Sequence, residues 1–227
     1  MNSPFEDYLE NSKQVVELLT LHAEKNAGKK SHHAHEILTK SCVVLFIACW
    51  EAYIEDIAEK AVEFLASKTT SPKALPNELL KFVSKELKNN KNELKVWELA
   101  GEGWKDVLKS NYIAMLSKHL GPFNTPRADN IDKLYQVVLG IENLSSCWFW
   151  KGMSNQHAKN MLNDAITLRG SIAHRVQASK KVTRALADRY GTHLLFLAIK
   201  TSNKVRKHIH SITGEYPWVE ESWNSVK

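Results

Sequence analysis

The chain has 227 residues and a formal net charge of +6, with 43% hydrophobic and 25% charged residues. That is the balance of a globular protein with apolar material for a sizeable core, and it excludes a disordered tail. Nine glycines and six prolines are too little punctuation for a many-stranded fold, and no segment alternates with period two, so an all-α fold is expected.

The first helix is expected from Ser3-Pro4-Phe5-Glu6, which has the N-cap Ser, N1 Pro and N3 Glu of a capping box, to about Asn26. These first residues are acidic and lack the apolar stretch of a secretory signal. Gly28 then reads as a helix stop and Ser31 as the next N-cap. A long helix to about Ser67 follows, its apolar positions stepping by three or four from Ile37 through Leu65. Between Cys42 and Trp50 apolar residues fill the other faces too, which predicts a central position in a bundle. That run is about half the length of a membrane span, so a cytoplasmic location without membrane association is expected. Cys42, Cys49 and Cys147 read as structural thiols, not as a disulfide framework or metal site.

Pro72 and Pro76 frame a turn, and shorter helices are predicted at about 77–89, 92–100 and 103–119. After the break GPFNTP comes a helix near 129–139, then an irregular aromatic stretch, Gly140 to Asn155, expected to pack down. Ser154 or Asn155 caps the next helix, and a last long one spans about Val182 to Ile212. The whole, 1–227, reads as a single domain with a possible insertion of short helices at about 72–128.

Charge is concentrated late in the chain. From Arg175 to His210 there are nine Lys and Arg against the single acid Asp188, a net +8 that leaves the remainder at −2. Such a run suggests a polyanionic partner, the alternative being an ordinary solvated helix face. Arg175, Lys180, Lys181 and Arg184 are the candidate substrate-binding residues. No metal or cofactor is expected: of the clustered histidines, His32 and His35 alone have helical ligand spacing, where a zinc site needs more convergent ligands. Gly101 and Gly103 are not followed by the Gly-Lys-Ser/Thr of a phosphate loop.

The distinctive cluster is Leu168-Arg169-Gly170-Ser171-Ile172-Ala173-His174-Arg175. His titrates near neutrality and can act as base or acid. Arg presents a fixed fork of donors to phosphate oxygens. On an ideal helix, positions five apart lie about 140° apart. Either Gly170 loosens that turn, or the two residues meet others across a dimer axis. Ser171 and Asn163 are candidates to hydrogen-bond a phosphate, and Trp148 and Trp150 to stack bases, although helix residues and packed tryptophans of these kinds are commonly structural.

This cluster resembles the Arg-x4–6-His signature of the HEPN superfamily, and Trp50-Glu51-Ala52-Tyr53-Ile54-Glu55 is similar to the "WE-x-Y/F" stretch of its RiboL-PSP and MAE-type branches. The resemblance implies an up-and-down helical bundle of the HEPN type. It also implies a metal-independent endoribonuclease of the toxin or phage-defence kind, acting on RNA as a homodimer with both motifs in one cleft. Arg169, His174 and Glu51 would be its catalytic set, Glu51 as the acidic partner. An antitoxin or other operon partner is expected as well. Gly170 stands where the family carries a polar residue, so a non-catalytic module binding RNA, nucleotide or a partner protein is the second reading.

Overall fold

The computed structural model describes residues 3–24, 32–120, 125–175 and 181–223, with the side chains of 21–24, 32–35, 113, 116–120 and 175 left out. Seven α-helices carry the fold: α1 (Pro4–Glu24), α2 (His32–Lys68), α3 (Asn77–Lys88), α4 (Trp104–Leu120), α5 (Ala128–Leu139), α6 (Asn155–Arg175) and α7 (Arg184–Thr213). Short 3-10 segments lie at Pro72–Ala74, Glu93–Leu99 and Leu144–Cys147. Among the described residues the sole β-type pairing is an isolated bridge between Trp150 and Met153.

Several boundaries follow from caps legible in the sequence. Glu6 N donates to Ser3 Oγ while Ser3 N donates to Glu6 Oε2, the reciprocal pair of a capping box at α1. Ser154 Oγ accepts from His157 N at the start of α6, and Thr183 Oγ1 accepts from Leu186 N at the start of α7. Gly140 and Gly214 end α5 and α7 in the left-handed conformation. The breaks assigned to Gly28 and Ser31, and most of GPFNTP, lie outside the described residues.

Helix α2 is the axis of the molecule. It packs against α1, α4, α5, α6 and α7, with Trp50, Tyr53, Ile54 and Ile57 fully buried. Two tyrosines tie it to its neighbours: Tyr53 Oη donates to Ala198 O on α7, and Tyr135 Oη on α5 donates to Ile54 O, each at 2.9 Å. Glu36–Lys68 is also long and apolar enough, by length and composition, to cross a membrane. The run Cys42–Trp50 therefore understates its apolarity. Five helical neighbours account for a sequence that is apolar on nearly every side.

The packing register fixes helix directions. Gly191 on α7 faces the Phe46 ring on α2, and Ala198 meets Tyr53 further along, so α2 and α7 run parallel. His193 on α7 meets Ala158 on α6 while Arg184 follows Arg175 in sequence, so α6 and α7 are antiparallel. The middle segment joins the same hydrophobic core through Leu79, Val83, Trp104, Leu108 and Met115. Its second short helix, expected at 92–100, is a 3-10 segment whose Leu94, Val96 and Trp97 are exposed.

Candidate functional site

The site begins with two consecutive residues of α2. Trp50 is fully buried against Trp148, and its Nε1 lies 3.4 Å from Pro126 O, the turn that leads into α5. Glu51, next along, turns out of the core towards α6, where its Oε2 lies 3.8 Å from Nη2 of Arg169. Glu51 and Arg169 side chains remain about a quarter and a third exposed (24% and 33%). Burial raises the Glu51 carboxyl above the usual glutamate range, against the opposing pull of Arg169. Glu55, one turn on, is half-buried, and its carboxyl is raised by burial and by the Glu51 and Asp56 carboxylates.

Arg169 is incompletely matched. Its Nε is buried without a hydrogen-bond partner, and 3.8 Å to Glu51 is an ion pair too long for a good hydrogen bond. A buried N–H with no acceptor costs free energy. The third of the Arg169 side chain that stays exposed is the part an incoming phosphate oxygen or carboxylate would meet.

His174 lies on the same helix but on another side. Helix α6 runs unbroken from Asn155 to Arg175, so Gly170 does not loosen the turn between the two motif residues. With regular geometry His174 is about 140° around from Arg169, and it is exposed. The first of the two alternatives left by the spacing is thereby removed. Nothing lies within 4 Å of where a Cβ on Gly170 would stand, so a larger residue there has room.

Other candidates are distributed differently. Lys181 and Arg184 are exposed near the start of α7, Arg184 within 3.6 Å of Asp188. Lys180 lies outside the described residues, as does the side chain of Arg175. In the rest of the basic run Arg189, Lys204 and Lys207 are exposed, whereas Arg206 is engaged by the segment that follows α7. Residues 214–223 lie along the second half of α7, where Arg206 Nε donates to Trp218 O, its guanidinium covers the Tyr216 ring, and Lys207 pairs with Glu220 at 3.7 Å. Trp148 is wholly buried, donating from Nε1 to Thr201 Oγ1, and Trp150 stacks on Phe196, so both pack. His208 is tied to Leu139 O and His210 stacks on Tyr216. Burial pushes the Cys42 and Cys147 thiols up to about 11, which suits inert structural cysteines.

One residue close to this site had no signal in the sequence. Arg127, immediately before α5, donates from Nη2 to Thr167 Oγ1 on α6 at 3.0 Å. It is forty positions from that partner, and nothing in its spacing announces the contact.

A family model described as RiboL-PSP-HEPN matches residues 6–207, which takes in the Trp50–Glu55 stretch, the middle segment and the Arg169–His174 cluster. The chain belongs to the RiboL-PSP-HEPN family. The all-α bundle is the one its HEPN membership requires, and that membership makes it a module of nuclease or RNA-binding type. No curated protein and no solved structure matched the chain. For this HEPN domain the match runs beyond the two stretches that carry the sequence resemblance, through 72–128 as well.

Proposed function

We propose that this HEPN protein is a metal-independent endoribonuclease of the toxin or phage-defence kind that acts as a homodimer. The observation that carries the reading is Arg169, anchored by Glu51 yet keeping a buried, unmatched Nε donor, on the helix that presents exposed His174. In the proposed reaction His174 removes the 2′-OH proton, and the 2′-oxygen attacks the adjacent phosphorus. The P–O5′ bond breaks, the 5′-oxygen takes a proton, and a 2′,3′-cyclic phosphate remains. Arg169 stabilises the extra negative charge on the phosphorane oxygens, and Glu51 fixes its guanidinium. Since His174 and Arg169 face different sides of α6, a cleft holding both needs two copies of the helix about a two-fold axis.

The test is RNA cleavage in excess EDTA, with product ends analysed. Cleavage should persist and leave cyclic phosphate. Arg169→Ala and His174→Ala should each lose on the order of 10²-fold or more in rate while staying folded. Chelation that abolishes activity, restored by Mg²⁺, would overturn the mechanism. A non-catalytic RNA-binding module is the second reading, favoured by the divergence of Arg169 and His174 within one chain; it predicts binding without cleavage at any protein concentration.

A further inference from the structure

Three polar residues of α6 share a stripe with His174: Asn163, Thr167 and Ser171 precede it at spacings of four, four and three. Thr167 and His174 are seven positions apart, so on a regular helix they lie within about 20° of each other and about 10.5 Å apart along the axis. Arg169 is not on this stripe; it is turned towards Glu51. The cation that does reach the stripe is Arg127, through its 3.0 Å contact with Thr167.

The contact leaves Arg127 with capacity to spare. Thr167 Oγ1 gives its own proton to Asn163 O at 2.8 Å, so it accepts from Arg127 with a lone pair and occupies one of five guanidinium donors. Among the described residues no carboxylate lies within ion-pair distance of Arg127. Asn163 Oδ1, a turn before Thr167, is buried and accepts nothing. The backbone of Arg127 is extended, at φ −75° and ψ 159°, and the preceding carbonyl is the one that faces Trp50 Nε1. The arginine is thus mounted on a turn braced by the core, with its charge half-exposed and uncompensated.

We infer that Arg127 binds a backbone phosphate of the RNA strand beside the scissile phosphodiester, on the His174 side of α6. This rests on the endoribonuclease reading and adds to it a binding residue outside the Arg-x4-His motif. Two helical turns separate it from His174, so it holds a flanking phosphate and takes no part in bond breaking. Such a contact positions the strand without reading its sequence.

The experiment compares Arg127→Gln and Arg127→Lys with the unaltered protein in cleavage kinetics. Binding of a mixed-sequence single-stranded RNA is then titrated over a range of salt, in a His174→Ala background so that the strand stays intact. Arg127→Gln should raise KM about tenfold, the worth of one charge-assisted hydrogen bond, with kcat within about twofold. It should also reduce the salt slope of binding by about 0.7, the contribution of one single-strand phosphate contact. Arg127→Lys should restore the slope, since the charge returns. A lower unfolding midpoint in Arg127→Gln with unchanged KM and slope would make Arg127 a strut between α5 and α6 and overturn the inference. An unaltered protein that binds and cleaves RNA while Arg127→Gln is indistinguishable from it sinks the inference alone. Failure of the unaltered protein to bind RNA overturns both this and the endoribonuclease reading.

Discussion

At the scale of single residues, two ionisable groups separate what the fold needs from what the site needs. His193 is buried on α7, its Nε2 against Ala158 O and its Nδ1 without a partner. The carbonyl can only accept, so Nε2 carries the proton and the ring is neutral. Burial lowers its pKa from 6.5 to about 4. The unfolded chain therefore binds the extra proton first: the stability from neutral His193 is whole above pH 6.5 and drains away as pH falls towards 4. The loss should approach about 3 kcal/mol. Denaturant midpoints across that window should show it, and His193→Gln, which keeps an N–H for Ala158 O, should flatten the profile; an equally steep one would place the acid sensitivity elsewhere. Glu51 works in the opposite sense. Its carboxyl is raised by burial despite Arg169, so the folded state prefers it protonated, and stability falls as pH rises through that raised value. Glutamine imitates the protonated acid. Glu51→Gln should thus unfold at the same or a higher temperature at neutral pH while cleavage drops. A large fall in melting temperature would make Glu51 a structural ion-pair partner first. Glu51 was legible as an acidic partner for the motif Arg or His because it sits in a recognisable stretch; that its neighbour is Arg169 follows from the packing of α2 against α6. Arg127 was not, because its partner is forty positions away and only the bundle brings them together.

At the scale of elements, two helical glycines give opposite expectations. Gly170 in α6 has open space where a Cβ would stand, so Gly170→Ala should stabilise by about 1 kcal/mol through helix propensity alone. Gly191 in α7 is different. A Cβ there would come within 2.8 Å of the Phe46 ring, which is buried at the α2–α7 contact. Overpacking of that kind costs about 1–3 kcal/mol, so Gly191→Ala should lower the unfolding midpoint although it removes a helix glycine. Thermal unfolding of the pair decides it, and two shifts of the same sign would contradict this account of the α2–α7 packing. The same contrast explains which elements could be read in advance. Helices α1, α5, α6 and α7 announce their ends through side-chain caps or glycines, which are local chemistry. The 92–100 stretch has apolar residues at plausible spacing, yet it forms a 3-10 segment with Leu94 and Trp97 exposed. Whether such a stretch becomes a packed helix depends on a surface to bury against, and that is a tertiary matter. Linear charge counting likewise does not see residues 214–223 lying along α7 and engaging Arg206 and Lys207, while Arg189 and Lys204 stay exposed.

At the scale of the whole molecule, the proposed site asks for a second copy, and one surface is suited to receive it. The first half of α2 is exposed along a line of Ile37, Leu45, Ala48 and Ala52, spaced eight, three and four apart, with Ile37 45% and Leu45 42% accessible. On a regular helix these four positions fall within about 80° of one another. Ala52 is the immediate neighbour of Glu51, so the stripe runs directly up to the Glu51–Arg169 pair. Small and apolar side chains permit close helix approach. A two-fold axis here would bring two copies of Arg169 and His174 towards a common cleft. Two sets of cations so close repel each other, and the two Glu51 carboxylates are the counter-charges at hand. Leu45→Glu places a charge on the stripe at a position already open to water, so each chain should fold as before. Sedimentation should show that variant as a monomer, and its RNA cleavage should be lost. The unaltered protein should lose specific activity on dilution with a second-order dependence on concentration. A monomeric Leu45→Glu variant that cleaves at the full rate would mean that one chain holds a complete site, reached by a movement of α6 that brings Arg169 and His174 to the same phosphate.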